Sequence, residues 1–265
     1  PGRVFGEIQG IETTEPAFGL DAYWIEGAQR EHAQTVGYSV VDPSTVVATH
    51  MSQILKRQAH ELLGYEETQQ LLDRLGSSAP KLVEDLVPKA LSLGVVVRVL
   101  QELLVEGVPV RNIRRIAETL AENAPRTQDP QALVAAVRVG LSRSIVQNIV
   151  EADQELPVFT LDPGLERILQ ESMQGAGEGP GLEPGLTERV QQALHGVAER
   201  QEIAGEPAVL LAAPALRPWL ARLARHGVPN LHVLAYNEVP DDKKLRLVAA
   251  VGQQDTEIER RATTA

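Results

Sequence analysis

Apolar residues recur every three or four positions along most of the stretch from about residue 60 to 150, the spacing of one helical face after another. The pattern predicts helices over Glu66–Leu75, Pro80–Lys89, Leu93–Glu106, Val110–Asn123 and Asp129–Val150. Val96, Val97, Leu100, Leu103 and Leu104 fall on one face, and Leu133, Val137, Leu141, Ile145 and Ile149 on another. Short joints at Gly76-Ser77-Ser78 and Gly107-Val108-Pro109 suit antiparallel neighbours packed around a common core.

Three Asp-Pro pairs, at Asp42-Pro43, Asp129-Pro130 and Asp162-Pro163, read as helix starts. The carboxylate can accept from the free amides of the first turn, and proline already holds the φ that the first helical position needs. The first such helix runs through Val46, Val47, Ile54, Leu55 and Leu62 towards Gly64. Ahead of it, the β-branched run Tyr38–Val41 is expected to be a strand. After Ala152 the rhythm alternates. Strands are expected at Leu156–Leu161, Ala208–Ala212, Leu231–Ala235 and Leu245–Val251, and helices at Pro163–Glu171, Thr187–Arg200 and Pro214–His226. The strand-helix-strand unit from Ala208 to Ala235 implies a parallel pair with a right-handed crossover. The glycine-rich run from Gln174 to Leu182 is a linker by composition, and the polar residues after Gly252 read as a flexible tail.

The fold class is therefore α+β multidomain: a small mixed N-terminal part, a central helical subdomain and a C-terminal α/β sandwich. Boundaries are placed at 1–59, 60–152 and 153–252, with a tail at 253–265.

Charge and chemistry narrow the function. With 25 basic and 36 acidic side chains the net charge is −11, which argues against a nucleic-acid or anionic-membrane surface and towards protein partners. The absence of cysteine excludes a disulfide scaffold and a thiolate metal site. The longest apolar runs are too short to cross a bilayer, which takes about 20 residues. The start at Pro1, with no signal-like segment, suggests a piece of a longer protein.

Gly175-Ala-Gly177-Glu-Gly179 lacks the strand before and the glycine spacing of a dinucleotide loop, and no Walker-type phosphate loop occurs. His60-Glu61-Leu62-Leu63-Gly64 is one residue short of a zincin motif. His50 and His60 diverge around the helix rather than converge as ligands. Arg111, Arg114 and Arg115 read as a solvated helical face. No metal site, cofactor or catalytic residue is expected, and the chain reads as a non-enzyme.

Five of the nine aromatic residues, Phe5, Phe18, Tyr23, Trp24 and Tyr38, fall within the first 38 positions. Such a cluster belongs to a small core or to the centre of an interface. Tyr23, Trp24 and Tyr38 are expected mainly in the core, with Phe18 set apart in the turn Glu15-Pro16-Ala17-Phe18-Gly19.

This turn carries a resemblance together with Gly37-Tyr-Ser-Val-Val-Asp-Pro-Ser44, Val83-Glu-Asp-Leu-Val-Pro88, Val99-Leu-Gln-Glu-Leu-Leu-Val-Glu-Gly107, Phe159-Thr-Leu-Asp-Pro163 and Val233-Leu-Ala-Tyr-Asn-Glu-Val-Pro240. In this order the motifs resemble the cytoplasmic domain of the FHIPEP family, the export-gate proteins of type III secretion. Pro16-Ala-Phe-Gly19 and the Asp-Pro-Ser segment look like its flagellar branch. The similarity extends from about Ile8 to Gly252.

The resemblance implies a docking platform for export chaperones with bound substrates. It also implies a ninefold ring with other export-apparatus proteins on the cytoplasmic side of the bacterial inner membrane, the full-length protein being membrane-anchored. It places a chaperone groove at Glu15, Phe18 and Thr49, with Val41 and Val46 on the adjoining surface. Glu15 stands where the family usually has Asp. The family's cytoplasmic domain begins before the segment matched by Pro1, so part of its first subdomain and much of its second are expected to lie outside this chain. The alternative implied function is a purely structural ring-assembly module of an injectisome-type gate.

Overall fold

The computed structural model describes residues 5–174, 184–228 and 230–252; the glycine-rich run and the tail after Gly252 lie outside the described residues. The chain opens with an antiparallel hairpin of β1 (Ile11–Thr14) and β2 (Asp21–Trp24), in which Ile11 pairs with Trp24 and Thr14 with Asp21. A Cβ on Gly10 would lie 2.7 Å from the carbonyl oxygen of Trp24, so only glycine lets the hairpin close there. Helix α1 (Arg30–Thr35) follows and ends at Gly37, whose φ of 99° turns the chain back.

Tyr38–Val41 is not a strand. The Tyr38 amide donates to Ala33 O at 3.0 Å, closing the end of α1, and no strand lies alongside to complete a ladder. Helix termination overrides β propensity in this segment. The next helix is broken where a single one was expected. Helix α2 (Pro43–Arg57) stops at Gln58, and α3 (Ala59–Leu62) is a separate turn before Gly64.

The helical region is α4 (Tyr65–Gly76), α5 (Pro80–Glu84), α6 (Leu93–Val105), α7 (Ile113–Asn123), α8 (Pro130–Gly140) and α9 (Ser142–Gln147). Two expected helices are shorter than their apolar patterns. Pro80–Lys89 breaks at Val87, which is extended (φ −125°, ψ 125°) before Pro88. Asp129–Val150 bends at Leu141, between α8 and α9. The expected cap at Asp129 forms, its carboxylate accepting from the Ala132 amide at 2.9 Å, and Ser92, which the sequence reading did not single out, caps α6 in the same manner. Val96, Val97, Val99, Leu100 and Leu103 are buried on α6, and Leu133, Val134 and Val137 on α8. Truncating one such residue, Leu100→Ala for example, removes about 2–5 kcal/mol of stability.

The last region is a four-stranded sheet, β3 (Leu156–Leu161), β4 (Val209–Ala212), β5 (His232–Ala235) and β6 (Leu245–Val251), ordered β5-β4-β3-β6 with every pairing parallel. Helices α10 (Pro163–Gln174), α11 (Pro184–Ile203) and α12 (Arg217–Gly227) cover one face through Leu169, Leu194 and Leu220. Alternation along the strands sends Phe159, Leu210 and Val233 into that layer. Leu156, Val158, Val209, Leu211 and Leu234 point the other way and join the core of the helical region. The helical bundle thus covers the second face of the sheet at β3, β4 and β5, while the first half of β6 stays exposed. A parallel sheet of near-continuous apolar strands requires burial on both sides.

Candidate functional site

The segment Glu15–Leu20 is a tight turn built by its own first residue. The Glu15 carboxylate accepts from the amides of Ala17 (3.0 Å) and Phe18 (2.8 Å), while its backbone exchanges bonds with Gly19 and Leu20. Gly19 sits at φ 70°, a conformation that suits glycine. Ala17 is the plug, 2% exposed, and Phe18 projects outward at 61% exposure. The turn orients Phe18 away from any core.

Asp42 starts α2 as a charged cap. Its carboxylate accepts from the Thr45 amide at 2.9 Å and from the Ser44 and Thr45 hydroxyls. The Ser44 hydroxyl, then the Thr45 amide and hydroxyl, lower its pKa from 3.8 to about 2. The cap fixes the rotation of the helix, which sets Val46 and Thr49, one turn apart, on a shared half-buried face. No side chain of this 15-residue helix is buried. Val47, Met51, Ile54 and Leu55 form an adjoining stripe open to solvent.

Glu15 and Phe18 are brought together in one turn, and Val46 and Thr49 on one helix; Val41 stands exposed just before the Asp42 cap. The expectation that Tyr23, Trp24 and Tyr38 form a core is not met. Tyr23 and Trp24 are exposed, Trp24 by 49%, and Tyr38 is half-buried. Tyr23 and Tyr38 instead pack edge to face, with centroids 6.2 Å apart. A two-stranded hairpin is too thin to bury both of its faces, and Phe5, Phe18 and Leu20 are likewise exposed. Arg114 and Arg115 both pair with Glu118 on the exposed face of α7, in keeping with a solvated face.

A second polar constellation went unseen in the sequence. Arg138, in the buried stripe of α8, donates Nε and Nη2 to the two carboxylate oxygens of Glu238 at 2.9 and 2.7 Å, and Nη1 to Glu106 at 2.9 Å. Arg217, at the start of α12, clasps Glu106 with both terminal nitrogens and donates Nε to Val233 O at 3.3 Å. All four residues are nearly inaccessible. Burial pushes the Glu106 carboxyl up, but the Arg217 hydrogen bond and charge, with Arg138 and Arg225, outweigh it and hold the group below its ordinary range. The available signal was a lone arginine on an apolar helical stripe, four residues after Val134.

Among the described residues no group of three or more acidic or histidine side chains is placed to hold a metal, and no helix is long and apolar enough to cross a membrane.

Comparison with known proteins matches residues 1–244 to the FHIPEP family. The chain is 47% identical over 252 residues to the flagellar biosynthesis protein FlhA of Salmonella typhimurium, a match covering 95% of this chain and 36% of that protein. It is 37% identical over 246 residues to FlhA of Bacillus subtilis, covering 92% and 36%. The chain thus spans a little over a third of the length of these relatives. Among solved structures, the Chlamydia pneumoniae CdsV protein superposes with a TM-score of 0.78 at 21% identity, over 89% of this chain and 68% of that one. Nonameric EPEC SctV-C superposes with a TM-score of 0.75 at 23% identity, over 95% and 76%. At such identities the likeness establishes the fold.

Proposed function

The chain belongs to the FHIPEP family, and from that premise we propose that it is a non-catalytic docking platform in a flagellar type III export gate, receiving export chaperones with their bound substrates. The observation that carries the reading is Phe18, exposed at the tip of a turn whose shape Glu15 maintains through two backbone amides. An aromatic side chain held rigid in water loses little entropy on docking and removes a large apolar area from solvent, the character of a binding hot spot. Thr49 and Val46 on α2, with Val41 before it, supply the adjoining surface, and the exposed stripe of that helix enlarges it. The matched proteins of Salmonella and Bacillus are flagellar biosynthesis proteins, which supports the flagellar assignment.

We also propose that the chain takes part in a homo-oligomeric ring at the cytoplasmic face of the inner membrane. Its fold is that of SctV-C, whose solved form is nonameric. The two roles separate experimentally. Purified flagellar export chaperones carrying substrate are titrated against the wild-type chain and against Phe18→Ala, while sedimentation reports assembly. Saturable binding that Phe18→Ala weakens supports the platform. Assembly with no chaperone binding, in this chain or in one extended at its N-terminus, leaves only the ring module.

A further inference from the structure

A cavity of about 590 Å³ lies where the helical bundle meets the sheet. Four arginines line it, Arg57 from the end of α2, Arg138, Arg217 and Arg225, against one acid, Glu106. The buried part is balanced, because Arg138 and Arg217 are matched by Glu106 and by Glu238 behind it. Two guanidinium groups are left over. Arg225 acts on the Glu106 carboxyl through space without a hydrogen bond, and Arg57 has no ion-pair partner among the described residues; both are exposed to solvent. His232, also on the wall, carries a pKa below its ordinary value, first through burial and then through the charge of Arg138, so it adds no compensating negative charge and no further positive one. In a chain of net charge −11 this is a local surplus of positive charge.

Apart from His232, Asn148 and Asn230, the remaining wall is mostly aliphatic, with Val108, Ile145, Ile149 and Leu231, and no Phe, Tyr or Trp lines it. A nucleotide base would find no Phe, Tyr or Trp to stack on, and no helix N-terminus with a glycine-rich loop is there to cradle a phosphate chain. We propose that the cavity binds an acidic side chain flanked by aliphatic ones, on a protein segment from outside this chain, its carboxylate paired with Arg225 and Arg57 and its neighbours seated on the aliphatic wall. Guanidinium suits this task because its planar fork can hold a carboxylate through two parallel hydrogen bonds. The site lies apart from the Phe18 surface, so Phe18→Ala leaves it intact, and either proposal can fail alone.

The test follows backbone amide shifts of the whole chain at Gly107, Val108 and Leu231–Val233 during titration with blocked Leu-Glu-Leu, blocked Leu-Gln-Leu and inorganic phosphate. The expected result is saturable shifts confined to those amides for Leu-Glu-Leu, and binding weaker by up to about fivefold for Leu-Gln-Leu, as one solvent-accessible ion pair warrants. The double variant Arg57→Gln, Arg225→Gln should weaken Leu-Glu-Leu about tenfold while leaving the rest of the spectrum unchanged. Equal binding of the glutamine peptide, phosphate saturating the same amides as tightly as Leu-Glu-Leu, undiminished binding by the double variant, or no saturable shift would each overturn the proposal.

Discussion

Arg138 and Glu238 are a hundred residues apart in sequence, yet two parallel hydrogen bonds of 2.9 and 2.7 Å join them, with both side chains almost entirely out of water. The pair ties α8 to the turn after β5, and Glu106 with Arg217 extends it to α6 and α12. Removing one member strands a buried charge. Arg138→Met and Glu238→Leu are each expected to lower stability by about 3–5 kcal/mol, whereas the double variant recovers a large part of that loss. Urea unfolding of the three variants checks this; singles within about 1 kcal/mol of the parent would remove the clasp from the account.

The same constellation predicts an acid limb of stability. The Glu106 carboxyl titrates below its ordinary 4.5 in the folded chain. A depressed carboxyl contributes stability that is complete above the unfolded value and is lost as pH falls through the folded one, so the loss begins below about 4.5. Against the cost of burial, the Glu238 and Glu106 carboxylates raise the Arg138 pKa further above its already strongly basic value, so its contribution is complete throughout the acid and neutral range and opens no second window there. Stability measured from pH 6 down to 3 should decline more steeply in the parent than in Glu106→Gln. Parallel curves would remove Glu106 as the cause.

At Asp42 the prediction is spectroscopic. Its side-chain carboxyl should titrate at about 2, because Ser44 first, and then the Thr45 amide and hydroxyl, bond to the charged form. Ser44→Ala should move the midpoint upward towards 3.8. The cap then acts fully above 3.8 and fades as pH falls towards 2. Observation of an unshifted carboxyl in the parent by carbon-detected titration would mean that the cap does not form in solution.

We propose the boundary near residue 152 as the edge of a helical folding unit, and a fragment of residues 44–152 tests it. The fragment retains the buried stripes of α6 and α8 but loses Leu156, Val158, Val209, Leu211 and Leu234 from its core, and Arg217 and Glu238 from the clasp. One cooperative transition is expected, with a midpoint below that of the whole chain. A broad, non-cooperative melt would mean that bundle and sheet fold only together.

Legibility followed the range of the interactions. Strands β3 and β6 lie where their apolar runs end, and the Asp42 and Asp129 caps form as Asp-Pro chemistry requires, because caps and periodicity act within a few residues. The break at Val87 and the bend at Leu141 were hidden inside continuous apolar patterns, since periodicity reports which face is buried and not where the backbone turns. Tyr23 and Trp24 misled because an aromatic ring looks alike in a core and on a docking surface until the thickness of the element beneath it is known. The clasp was invisible as a set, its members lying at 106, 138, 217 and 238, though Arg138 alone broke the pattern of its helix. For the candidate groove, the local part could be read, with Phe18 beside Glu15 and Thr49 beside Val46; how the two pieces face one another is a tertiary property that no spacing encodes.

Because Phe18 is 61% exposed, its truncation should cost little folding stability, well short of the roughly 3–5 kcal/mol of a buried phenylalanine. If it is a docking residue, Phe18→Ala should weaken binding of a chaperone with its substrate by about 2 kcal/mol or more, as an aromatic anchor does. Thr49→Met should also weaken binding, by placing a longer side chain on the face it shares with Val46. Glu15→Ala should act less directly, by releasing the Ala17 and Phe18 amides and loosening the turn, and glutamine at position 15 should restore part of the loss because its side-chain carbonyl can still accept. Affinity and unfolding midpoint are measured on the same proteins, in this chain and in one extended at its N-terminus. Unchanged affinity for Phe18→Ala in both would remove the turn from the docking surface, whereas an unfolding midpoint that falls in step with affinity would make Phe18 a structural residue.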